Sequence, residues 1–139
     1  MPDTAARLVE SGLRVTRQRV AVLEAITPGE HLDVDTVAER ARGTLGALST
    51  QAAYDVLRAL GGAGLVRRIE PAGQPALYEI RVGDNHHHLV CRDCGEIVDI
   101  DCASGAAPCL DATMPTGFLA DEAEVTWWGR CARCRATGA

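Results

Sequence analysis

The chain has 139 residues, 47% of them hydrophobic, which allows one ordinary domain or two small ones, and no apolar run is long enough for a membrane span. Its N-terminus lacks the basic and apolar segments of an export signal, so a cytoplasmic protein is expected and the six cysteines read as metal ligands rather than disulfides. The net charge of −5 is uneven: residues 1–81 hold ten arginines against ten acids and residues 82–139 four against nine, so the first half can present arginines to phosphates while the second suits cations.

The first eighty residues read as four helices and a hairpin. Residues 4–11 form a short amphipathic helix ending at Gly12, and Thr16 caps a second helix that runs through Ile26 to the stop at Pro28-Gly29. Asp33 caps a third, whose apolar stripe is Val34, Val37, Ala38, Ala41 and Leu45. After the turn Gly46-Ala47-Leu48, Ser49 caps a fourth with Ala53, Val56, Leu57 and Leu60 on its apolar face, and Gly61, Gly62 and Gly64 are expected to end it. Leu65–Ile69 and Ala76–Ile80 read as strands joined by a Pro/Gly-rich turn. Helix, tight turn, helix and hairpin make a winged helix-turn-helix over residues 1–81. Residues 82–85 suit a hinge. Over 86–139 the segments His87–Cys91, Glu96–Cys102 and Glu122–Gly129 read as strands, with a helical or irregular connection around Ser104–Thr113, giving a small α/β domain and an α+β chain overall.

The strongest chemical signal is Cys91-x2-Cys94 with Cys131-x2-Cys134. A two-residue spacer lets one knuckle turn two thiolates onto one ion, and two knuckles complete a closed tetrahedral zinc site. The alternative is a redox role for the CxxC pairs, although neither lies in a thioredoxin-type βαβ setting. His86-His87-His88 comes next: in a strand His86 and His88 project to one side and His87 to the other. With Asp99 nearby, and His31 and Glu79 available from the first half, these mixed His and carboxylate donors suit a second ion harder than zinc, such as iron(II) or manganese(II).

The fourth helix offers Ser49, Thr50, Gln51, Tyr54, Asp55 and Arg58 on its polar face, with hydroxyl and amide groups near its N-terminus where base edges are read. Arg14, Arg17 and Arg19, and Arg67-Arg68 on the wing, supply phosphate contacts.

These features together resemble the ferric uptake regulator family, and its peroxide-sensing branch in particular. The resemblance covers nearly the whole chain and rests on Leu13-Arg14-Val15-Thr16-Arg17-Gln18-Arg19, on Tyr54, on the run from His86 to Gly95, and on Cys131-x2-Cys134. It implies a V-shaped homodimer on palindromic double-stranded operator DNA, with residues 86–139 as the dimerisation domain and Cys91, Cys94, Cys131 and Cys134 on structural zinc. It also implies regulatory iron(II) or manganese(II) on His31, Glu79, His86, His88 and Asp99, with Tyr54 packing against bases and Arg19 touching the DNA backbone. Peroxide sensors of the family tend to carry Asp at the position of Asp99, and their bound iron oxidises a ligating histidine. Iron, zinc or nickel sensing are the alternatives within the family, and a zinc-ribbon thiol-redox protein the alternative outside it. Asp55 stands where iron regulators often have Arg. Asn85, His87 and Arg130 stand where some members hold a further metal, which argues against a third site. Cys102 and Cys109 are extra thiols, either inert or a second redox switch. No nucleophile with an adjacent base is visible, and oxidation of a ligand is stoichiometric, so an enzyme is not expected.

Overall fold

Each of the first four helices begins at a side-chain oxygen that accepts an otherwise orphaned backbone N–H. In the computed structural model, which describes residues 3–80, 86–101, 115–119 and 125–137, Asp3 caps α1 (Thr4–Glu10), Thr16 caps α2 (Arg17–Ala25), Asp33 caps α3 (Val34–Leu45) and Ser49 caps α4 (Thr50–Gly62). The acceptors of the last three reach the third helical N–H at 3.1, 2.8 and 3.0 Å. The turn between α3 and α4 is pinned from the side, since Arg42 Nε donates to the Leu48 carbonyl at 2.7 Å. The apolar stripes meet in one core, where Leu8, Val22, Val37, Leu57 and Leu60 are almost fully buried.

α4 runs through Gly61 and Gly62 instead of ending at the first glycine. The stop comes at Gly64, whose φ of 79° is left-handed; its N–H bonds the Gly61 carbonyl and the Leu65 N–H bonds that of Leu60. This capping motif needs a single left-handed residue and places Leu65 back on the core, so the earlier glycines only weaken the last turn. β1 (Val66–Ile69) then pairs antiparallel with β2 (Leu77–Ile80), Val66 opposite Ile80 and Ile69 opposite Leu77. A third chain segment joins this wing: Leu32 and Tyr78 exchange both backbone hydrogen bonds, at 3.0 and 2.7 Å.

By contact density the chain divides into Met1–Gly83 and Asp84–Ala139. The second unit is a three-stranded sheet ordered β4-β3-β5, built from β3 (His86–Cys91), β4 (Ile97–Asp101) and β5 (Thr126–Gly129), followed by the one-turn helix α5 (Ala132–Ala136). β3 pairs antiparallel with β4 and parallel with β5. Parallel strands leave a sheet at the same end, so whatever follows β3 and whatever follows β5 must meet there. The connection around Ser104–Thr113, residues 82–85, Cys102 and Cys109 lie outside the described residues. No described helix is long and apolar enough to cross a membrane.

Core and surface of α4 should respond differently to truncation. Leu57→Ala removes a side chain that is 1% exposed and is expected to cost about 2–5 kcal/mol in a urea melt. Arg58→Ala removes one that is 79% exposed and is expected to change stability by less than about 0.5 kcal/mol.

Candidate metal centres and nucleic-acid interface

The two cysteine knuckles sit where the parallel pairing delivers them. Cys91 lies opposite Gly129 in the β3–β5 register, and the Arg92 N–H donates to the Gly129 carbonyl at 2.8 Å, which sets Cys131 beside Cys91. The first knuckle closes through the Gly95 N–H on the Cys91 carbonyl at 3.0 Å, with Gly95 left-handed at φ 79°. In the second, Cys131 caps α5 and its sulfur accepts the Cys134 N–H at 3.4 Å. All four sulfurs lie within 4.8 Å of one another, and Cys94 Sγ is 3.8 Å from Cys131 Sγ. Thiolates about 2.3 Å from a tetrahedral zinc stand about 3.8 Å apart, whereas disulfide sulfurs are about 2.05 Å apart, so the donor set fits a metal. Arg130 spans the knuckles, donating through Nε to Asp93 Oδ2 and through Nη2 to the Cys134 carbonyl at 3.2 Å.

The thiols are not equivalent. The Cys131 N–H on Cys91 Sγ at 3.3 Å, helped by the N–H groups of its own knuckle, lowers the Cys91 thiol to about 6. Cys134 hydrogen-bonds to the Cys131 sulfur and, with burial added, is pushed up to about 12. Metal binding therefore finds one thiolate made in advance and must displace protons from others.

In the first unit, the Leu32–Tyr78 bridge makes their neighbours His31 and Glu79 face each other, His31 Nε2 lying 3.1 Å from Glu79 Oε2 with both side chains buried. The segment carrying His31 is held by Glu30, which takes a two-pronged contact from Arg40 at 2.7 and 3.2 Å and the Thr27 N–H at 3.0 Å. Arg40 foremost, then that N–H, holds the Glu30 carboxyl down at about 2. Arg40 also donates to the Ala25 carbonyl at 3.1 Å, tying the end of α2 to the same clamp.

In the second unit, His88 lies directly opposite Asp99 on β4, with His88 Nε2 3.5 Å from Asp99 Oδ1 and the imidazole buried. The Cys91 N–H bonds the Glu96 carbonyl, and alternation from that pair makes His88 and Asp99 a non-hydrogen-bonded pair, in which side chains approach most closely. His86 opens β3 opposite Asp101; its side chain lies outside the described residues. His87 is turned to a different partner, its Nδ1 accepting the Val125 N–H at 3.3 Å, and Arg130 is engaged by the cysteine knuckles.

Of the polar groups on α4, Ser49 spends its hydroxyl on the cap, while Thr50, Gln51, Tyr54 and Arg58 are exposed. Gln51 Nε2 donates to Asp55 Oδ1 at 3.0 Å, and Arg58 Nη1 is 3.8 Å from the same oxygen. An open groove of about 420 Å³ runs between α2 and α4, lined by Arg14, Thr16, Arg19 and Asp55 among others, and Arg19 Nη1 donates to the Arg14 carbonyl at 2.8 Å. Arg17 is exposed on the first turn of α2 and Arg67 half-buried on β1. Sequence reasoning had a strand over Glu122–Gly129 but did not find the parallel course of β5, nor α5, the Leu32 bridge, the Glu30–Arg40 clamp or the Asp93–Arg130 link. All but α5 are pairings between residues ten or more positions apart.

The unequal thiols give a pH signature. Affinity of the four-cysteine site for zinc should fall as pH is lowered, because protons compete for the thiolates, and should fall more steeply below about pH 6, where Cys91 must also lose a proton. Competition with a chromophoric chelator reads this; a slope unchanged across pH 6 would contradict the ordering.

Comparison with known proteins identifies the family and supports the fold. Residues 10–113 match the ferric uptake regulator family. The transcriptional regulator FurA of Mycobacterium tuberculosis is 58% identical over 134 residues, 96% of this chain and 91% of that protein. The peroxide operon regulator of Bacillus subtilis is 29% identical over 96% of this chain and 92% of its own length. The structure of the Helicobacter pylori ferric uptake regulator Fur superposes with a TM-score of 0.71 at 19% identity, covering 96% of this chain and 90% of that one, which speaks for the fold. With its family match, its FurA-like sequence and its winged helix followed by a four-cysteine sheet, the chain belongs to the ferric uptake regulator family of transcriptional regulators.

Proposed function

We propose that this chain is a cytoplasmic, homodimeric repressor whose grip on a palindromic operator depends on one regulatory metal ion and is released by hydrogen peroxide. The observation that carries the reading is a pair of His–carboxylate couples, His31–Glu79 in the first unit with both side chains buried, and His88–Asp99 in the second with the imidazole buried and the carboxylate reaching the surface. One ion taking ligands from both couples and from His86 would tie the DNA-binding unit to the dimerisation unit and so fix the spacing of two recognition helices. Zinc on Cys91, Cys94, Cys131 and Cys134 would hold the second unit together, which is too small to be secure on its own core. The two centres divide the labour by ligand chemistry: soft thiolates for zinc, imidazole and carboxylate for iron(II) or manganese(II).

DNA contact falls to Arg14, Arg17, Arg19, Arg58 and Arg67 on phosphates and to Ser49, Thr50, Gln51 and Tyr54 near base edges. Residues 1–81 serve as the DNA-binding domain, 82–85 as the hinge and 86–139 as the dimerisation domain. Bound iron(II) would supply the one-electron reduction of peroxide, and His86 and His88, as ligands, would be the imidazoles on which the resulting oxidant is spent. Asp99 in place of the longer Glu, and the peroxide operon regulator among the relatives, support peroxide as the signal. Metal level is the second reading, favoured by the relatives named ferric uptake regulation proteins.

Operator binding by wild type, His88→Ala and Asp99→Glu, each with iron(II) or manganese(II), before and after peroxide, separates these readings. His88→Ala should remain a zinc-loaded dimer and lose operator affinity by roughly 5- to 150-fold, the range of typical two-site coupling. Asp99→Glu should lose peroxide sensitivity more than metal-dependent binding. Metal-dependent binding by His88→Ala, or a manganese form inactivated as fast as the iron form, would contradict the switch.

A further inference from the structure

A carboxylate on a helix that faces DNA repels phosphates, and Asp55 is such a carboxylate, exposed one residue after Tyr54 and bordering the arginine-lined groove. The cost is only partly met by Arg58, whose guanidinium stands 3.8 Å away and is itself largely exposed. What Asp55 does engage is the Gln51 side chain, through the 3.0 Å bond from Nε2 to Oδ1 one helical turn back. Because a carboxylate only accepts hydrogen bonds, the amide must turn its NH2 toward Asp55, and that choice fixes where its other end points. When the N–H pointing away from Oε1 goes to Asp55, Oε1 and the N–H beside it share one free edge of the amide for an outside partner. Gln51 is the second residue of α4, in the part of a recognition helix that reaches base edges.

We propose that Asp55 is a positioning residue for Gln51 and that the pair selects adenine over guanine at one position of each operator half-site. In the major groove adenine offers an N6 donor beside an N7 acceptor, which matches an outward Oε1 and N–H. Guanine offers two acceptors, O6 and N7, and would bring an oxygen against Oε1. A free glutamine can rotate its amide to give guanine a hydrogen; one held by Asp55 cannot without breaking the 3.0 Å bond. The carboxylate thus gives up general affinity for DNA and gains discrimination at one base.

This rests on the DNA-binding reading above, and the experiment separates the two. The full-length protein, loaded with manganese(II), is used to select duplexes from a random library, and single-base variants of the selected half-site are then titrated. Wild type should favour adenine over guanine at one position by roughly tenfold or more. Gln51→Ala and Asp55→Asn should each reduce that ratio to about twofold or less and leave other positions unchanged. Asn keeps the shape of Asp but can offer either its oxygen or its amide, so the hold on Gln51 is lost. Removing the charge should also raise affinity for a scrambled duplex, so specificity and general affinity move in opposite directions. Replacing the adenine by 7-deazaadenine, which lacks the N7 acceptor, should weaken wild type and leave Gln51→Ala unaffected. An Asp55→Asn variant that keeps its adenine preference, or that shifts every duplex by one common factor, overturns the inference while leaving DNA binding intact. A wild type that enriches no sequence overturns the DNA-binding reading and this inference with it.

Discussion

The register of one strand, β3, is the constraint on which both candidate metal centres depend. On one side its antiparallel pairing with β4 sets His88 opposite Asp99, and on the other its parallel pairing with β5 sets Cys91 beside the turn into Cys131. His88 and Cys91 are three residues apart, about 10 Å along a strand. A slip of one residue against either neighbour would send every side chain to the opposite face and would dismantle one centre or the other. A closed thiolate site at the end of β3 therefore holds the strand in place for the histidine upstream of it. Val90, 1% exposed, adds an apolar lock between the two.

The first unit repeats the same device on a smaller scale. A single bridge, Leu32 to Tyr78, decides that His31 meets Glu79, and the Glu30–Arg40 clamp decides that the bridge is approached at the right place. In both units a histidine and a carboxylate come from paired backbone segments rather than from one helix, so each couple is set by backbone pairing and needs little adjustment of its own. Such preorganisation reduces the ordering cost of binding an ion.

What was legible in the sequence follows from how local each feature is. The caps Thr16, Asp33 and Ser49 and the apolar stripe of α3 are settled within a few residues, and they appear where the pattern places them. The cysteine spacing carried the zinc-type site because two knuckles with a common ion leave little choice of geometry. The end of α4 falls in the glycine cluster that the pattern marks, and the capping geometry singles out Gly64 among the three. The parallel course of β5 and the Leu32 bridge join residues tens of positions apart, and no periodicity in a single chain announces such pairings. Asp55 was visible as a departure from the commoner family residue; its partner Gln51 is at the i,i+4 spacing that could have been read, but the direction of the amide belongs to the structure.

If one ion joins the two His–carboxylate couples, metal and operator binding are thermodynamically linked and each must strengthen the other by the same factor. The direct test is to measure the manganese(II) affinity of the zinc-loaded protein with and without saturating operator DNA, and the operator affinity with and without saturating manganese(II). The account predicts equal factors, each in the range of about 5- to 150-fold; a manganese(II) affinity indifferent to operator DNA would contradict it.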